Sequence, residues 1–129
     1  MAEVSNNNRW YYISENEKKG IEFLSNVKDD KGVIAAYTLG NYIPAYTGKN
    51  VYFGHWIQTP NAKDKYNKVM DFYKGNMSDK EAVKFLDENN IGLIMYGNEE
   101  KLIGKLKYSF LKSIYKNKEI EIFNIRRYK

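Results

Sequence analysis

The run Val33-Ile34-Ala35-Ala36-Tyr37 does most to narrow what this chain can become. It is short, uncharged and contains β-branched residues, so it reads as a buried strand. Val51-Tyr52-Phe53, ended by Gly54, is a second strand. Ile91 to Tyr96, closed by Gly97-Asn98, is a third.

The segments between these runs change period. Ser14 with Glu17 forms a capping box, each side chain satisfying an unpaired backbone N–H. Ile21, Leu24 and Val27 then repeat at helical spacing until Asp29-Asp30-Lys31-Gly32 turns the chain. Gly40 follows the first strand, Asn41 to Tyr46 is a short helical turn, and Thr47-Gly48-Lys49-Asn50 is a turn. Thr59-Pro60 predicts an N-cap with proline at the first helical position. Tyr66, Val69, Met70 and Tyr73 form one face of that helix, and Gly75-Asn76 ends it. Ser78 with Glu81 starts another helix, which turns Ala82, Val83 and Leu86 inward and Phe85 partly so. Asn89-Asn90 supplies its left-handed stop. Glu99 to Lys105 is a short helix. Leu111 to Tyr115 and Ile120 to Ile125 pair as a hairpin around Asn117-Lys118.

Helices alternating with strands indicate a layered α/β domain. The expected fold is a three-layer or two-layer sandwich with a mixed, mainly parallel sheet and a C-terminal antiparallel hairpin. A disordered leader over residues 1–9 precedes a single domain over 10–129. A chain of 129 residues can bury roughly two thirds of its unfolded surface, enough for a core without covalent staples.

Composition removes several chemistries. There is no cysteine and a single histidine, His55, so a zinc site and thiolate catalysis are excluded. No Gly-x-Ser-x-Gly elbow, dinucleotide fingerprint or Walker motif is present. The residues on hand do not make a complete catalytic site, and no cofactor is expected. Net charge is +5, but 16 acidic residues are interspersed with 21 basic ones. The charge therefore reads as a solvated surface, and nucleic acid is not an expected partner. Mean hydropathy is −0.69, and no run approaches the ~18 apolar residues of a spanning helix. Met1-Ala2 reads as an added start on an excised piece, and no signal peptide is visible.

Aromatic residues, small residues and polar tips converge between two strand ends, from Gly40 to Thr59. Tyr37, Gly40, Asn41, Tyr42, Thr47, His55, Trp56 and Thr59 are the candidate ligand-binding residues. Aromatic faces beside hydroxyls suit a sugar or another amphipathic ligand. His55 alone titrates near neutral pH without perturbation. The N–H groups around Leu39-Gly40-Asn41 are candidates for receiving an anion. The competing reading is a tightly packed loop whose Tyr and Trp are core.

The stretch Leu39-Gly40-Asn41-Tyr42-Ile43-Pro44-Ala45-Tyr46-Thr47-Gly48-Lys49-Asn50-Val51-Tyr52-Phe53-Gly54-His55-Trp56 resembles part of large bacterial integral-membrane proteins. These look like glycosyltransferases of the GT-C, mannosyltransferase-like type. Phe72-Tyr73-Lys74-Gly75, Ser78-Asp79-Lys80-Glu81-Ala82 and Ile91-Gly92-Leu93-Ile94-Met95-Tyr96-Gly97 continue the likeness over most of residues 10–125. The resemblance implies a C-terminal domain on the extracytoplasmic face of the membrane, beside the transmembrane part of its own parent chain. A glycan acceptor or a polyprenyl-phosphate sugar is the implied ligand. The class keeps its catalytic acid in an early loop of which nothing is present here, so no catalytic residue carries over. Two other readings stand beside this one. One is a structural or protein-interaction domain of a membrane protein, and the other is a free-standing small-ligand-binding α/β module.

Overall fold

The computed structural model describes residues 13–54 and 61–125. Its elements are α1 (Glu15–Ser25), β1 (Gly32–Ile34), α2 (Tyr37–Thr47), α3 (Ala62–Lys74), α4 (Asp79–Glu88), β2 (Ile91–Tyr96), α5 (Asn98–Ile103), β3 (Leu111–Lys116) and β4 (Glu121–Ile125). The expected leader at 1–9 and the Thr59-Pro60 helix start lie outside the described residues. Asn61, left-handed at φ 54°, is the residue that precedes α3.

The two-sided burial expected of the apolar strands is the organising fact. Val33, Leu93 and Met95 pack on one side with Ile21 and Leu24 of α1 and Leu39 and Ile43 of α2. Ile34, Ile91 and Ile94 pack on the other side with Val69, Phe72 and Tyr73 of α3 and Leu86 of α4. Consecutive strand residues point to opposite faces, so a strand without polar positions is stable only between two helical layers. The result is a three-layer α/β/α sandwich.

The sheet runs β1-β2-β4-β3. β1 and β2 are parallel, with Val33 opposite Leu93 and Ile34 opposite Ile94. β4 is antiparallel to both β2 and β3. The mixed sheet and the C-terminal hairpin are as expected, with less parallel pairing. Val51-Tyr52-Phe53 contributes an isolated parallel bridge from Val51 to Val33 instead of a full strand. The register of the edge strand β3 shifts between Ser113 and Tyr115. Among the described residues no helix is long and apolar enough to cross a membrane.

Both capping boxes form. Ser14 Oγ accepts from Glu17 N at 3.1 Å and Ser78 Oγ accepts from Glu81 N at 3.1 Å. Gly75 (φ 78°) and Asn90 (φ 55°) are the left-handed stops. α1 ends earlier than the sequence suggests, with Asn26 as its cap. Phe85 is buried more fully than expected, at 8% exposure.

The larger departure is α2. Its eleven residues include Tyr37, expected in the strand, and Gly40 and Pro44, which intrinsic propensity disfavours in a helix interior. Packing overrides propensity here, because Leu39, Gly40 and Ile43 are all buried. A Cβ on Gly40 would lie 2.4 Å from the Phe53 carbonyl oxygen and 3.3 Å from Gly54 Cα. Glycine therefore lets α2 sit directly on the backbone of the Val51–Gly54 segment. Pro44 has no N–H for the Gly40 carbonyl, and that carbonyl lies against Gly54, 2.9 Å from where a Cβ would be.

Tyr73 binds the layers together. Its ring is fully buried, and its hydroxyl lies 3.0 Å from the Ile34 carbonyl and in hydrogen-bonding contact with the Met95 carbonyl. It thereby links α3 to the ends of both parallel strands. Tyr73→Phe is expected to lower stability by about 1–3 kcal/mol, because buried carbonyls lose their donor. The check is a urea titration in which the midpoint falls at constant slope. Gly40→Ala is expected to cost at least as much, since the atom it strikes is backbone. The same titration tests it, with Gly48→Ala as the contrast, where strain comes from φ 74° and nothing lies within 4 Å of the added Cβ.

Candidate functional site

In open α/β sheets ligands usually bind beyond the carboxyl ends of the parallel strands. Here β1 leads into α2 and β2 leads into α5, so two helix N-termini meet at that end. Four of the N–H groups there are answered from within the chain. Glu100, fully buried, accepts from Ala36 N at 2.7 Å and from Gly97 N at 2.9 Å. Glu99 accepts from Thr38 N at 2.8 Å. Glu17, 6% exposed, accepts from Asn98 N at 3.0 Å while holding its own cap at Ser14.

Burial pushes the Glu100 carboxyl up to about 7, against the lowering effect of its backbone N–H bonds and with a smaller upward push from Glu99. Burial, with Glu100 nearby, also holds the Tyr73 hydroxyl well above its ordinary value. Around Leu39-Gly40-Asn41, the candidate anion-receiving segment, several of the nearby donors are committed within the chain. Gly40 N donates to Ala36 O at 2.9 Å inside the helix, and the first-turn donors at Ala36 and Thr38 are taken by the chain's own carboxylates.

The described candidate residues divide between the two sides of the sheet. Tyr37 is half-buried on the α3 side, where it lines a small cavity of about 80 Å³ with Phe53, Tyr66, Val69 and Glu99. Tyr42 lies on the α1 side. Asn41 Nδ2 donates to the Tyr37 carbonyl at 2.9 Å. Thr47 Oγ1 donates to Ile43 O at 2.7 Å and accepts from Lys49 N at 3.0 Å, which closes the helix end. Gly40 is a packing contact. His55, Trp56 and Thr59 lie outside the described residues.

Two larger openings emerge that the sequence did not single out. A groove of about 690 Å³ runs between α3 and α4, lined by Tyr52, Asp64, Lys65, Lys68, Lys84 and Glu88 among others. Lys65 Nζ sits 5.3 Å from the centre of the Tyr52 ring. A cleft of about 290 Å³ lies between α1 and α2, lined by Ile13, Lys18, Ile21, Glu22, Ser25, Tyr42 and Tyr46. Tyr42 and Tyr46 stack there, with ring centres 5.8 Å apart and planes at 15°. Both lie in the helical turn expected over Asn41 to Tyr46, and their spacing of four residues is the signal that pairs them. Among the described residues no group of acidic or histidine side chains could hold a metal ion.

No family model matches the sequence, and no curated protein matches it. Among solved structures, the chain is similar to the C-terminal globular domain of an oligosaccharyltransferase from Archaeoglobus fulgidus. The TM-score is 0.68 at 10% identity, over 89% of this chain and 99% of that one. The α/β fold is therefore shared with a domain belonging to a glycosyl-transferring enzyme.

The buried carboxylate gives stability a definite pH dependence. A carboxyl raised from 4.5 to about 7 contributes fully below pH ~4.5, and that contribution is lost as pH rises through ~7. Glu119 acts oppositely. Hydrogen bonds from Ser14, Asn98 and Asn16 lower it to about 2, so its contribution is present above ~4.5 and lost as pH falls through ~2. Urea midpoints are therefore expected to fall between pH 5 and pH 8. Glu100→Gln is expected to be less stable at pH 5 and to flatten that slope. An unchanged slope in the variant would assign the dependence elsewhere.

Proposed function

We propose that this chain is an accessory, non-catalytic domain of a membrane glycosyltransferase-like protein. It spans residues 10–129, packs beside the transmembrane part of its own parent on the extracytoplasmic face, and contacts a glycan acceptor or a polyprenyl-phosphate sugar. The observation that carries this reading is the fold, which is similar to essentially the whole of a domain from an oligosaccharyltransferase. The GT-C-like stretch from Leu39 to Trp56 points the same way independently. Tyr42, Thr47, His55 and Trp56 are the proposed contacts; Tyr37, on the other side of the sheet, and Gly40, a packing contact, are not among them.

A structural role is the second reading. Leu102 is 88% exposed on α5, and a large apolar side chain so placed suits packing on another part of the parent.

Expressed from its native locus with a C-terminal epitope tag, the protein is expected in the membrane fraction. Protease added to intact cells is expected to remove the tag. Recovery in the soluble cytosol would overturn the proposal. Leu102→Glu separates the two readings: if the role is only structural, the variant detaches or destabilises the parent while sugar binding is absent in both forms.

A further inference from the structure

Resting on that glycan reading, we infer that the cleft between α1 and α2 is a subsite for one neutral sugar ring, with the Tyr42–Tyr46 stack as its platform. The helices pack against each other, and Ile13 and Ile21 give the cleft an apolar floor. Tyr46 is nevertheless 65% exposed. The stack thus leaves aromatic surface in water at the wall of a cavity, and a sugar's C–H face can cover such a surface.

The opposite wall supplies the polar half of the match. Lys18, Glu22 and Ser25 lie at i, i+4 and i+7 on α1 and so share one stripe. An ammonium only donates and a carboxylate only accepts. A ligand that satisfies both must donate and accept from neighbouring positions, as adjacent sugar hydroxyls do. The two charges offset one another, so the cleft offers no net attraction to phosphate, and the group that fits is a sugar ring and not the pyrophosphate of a lipid-linked donor. At about 290 Å³ the cleft is at the small end of ligand sites, which suits one ring. The α3–α4 groove is larger, but Lys65 already lies over its aromatic ring.

The test is an amide-resolved NMR titration of the chain with methyl pyranosides and short neutral oligosaccharides, carried into the high millimolar range. Perturbations are expected to cluster at Lys18, Glu22, Tyr42 and Tyr46. Tyr46→Ala is expected to weaken binding about tenfold, and Tyr46→Trp to retain it. Tyr46 is exposed, so both variants are expected to fold, and their amide spectra verify it. Perturbation centred on Tyr52 and insensitive to Tyr46→Ala would overturn this subsite and leave the glycan reading standing. No perturbation by any saccharide would overturn both. Binding of inorganic pyrophosphate at the cleft in preference to sugars would overturn the neutral-ring assignment alone.

Discussion

Two helices that follow adjacent parallel strands point their unpaired N–H groups into the same buried space. Unanswered, those donors would carry a large desolvation penalty. Glu100 answers one from each helix, and the rest of this end of the molecule follows from that. The carboxylate can be buried because backbone donors surround it. Tyr73 closes the space from the α3 side, against the same strand ends. Glu99 takes a further N–H of α2, that of Thr38, and Glu17 takes that of Asn98 in α5. A position that many α/β folds leave open to phosphate is here an internal polar joint that fixes how α2 and α5 leave the sheet.

The layered fold was legible because its signals were local. The two capping boxes, the left-handed stops at Gly75 and Asn90, and the hairpin around Asn117 each depend on a few neighbouring residues. The apolar strands announced two covered faces by lacking any polar alternation. α2 was not legible. Gly40 and Pro44 argue against a helix by propensity, and their compensation is a contact with Phe53 and Gly54, which no local window contains. Glu100 was equally silent, since a glutamate in a helix's first turn ordinarily faces water. The candidate site suffered from the same misreading. Reading Tyr37 as the end of a strand grouped it with Tyr42 in one candidate site. A helix sends them to opposite sides of the sheet and pairs Tyr42 with Tyr46 instead.

At 10% identity the likeness to the oligosaccharyltransferase domain is one of architecture. Function has to be argued from surfaces, where the helices carry their variable side chains. The two larger openings lie between pairs of helices.

The edge strand β3 bears on how the domain meets other molecules. Its register shift between Ser113 and Tyr115 breaks the straight row of backbone groups that another strand would need. Lys112 and Lys116 stand exposed along it. Both are devices that discourage strand addition and the aggregation it seeds. Assembly into anything larger is thereby steered away from sheet extension and towards side-chain recognition on the helical faces, a mode of contact that is reversible and can be tuned one residue at a time.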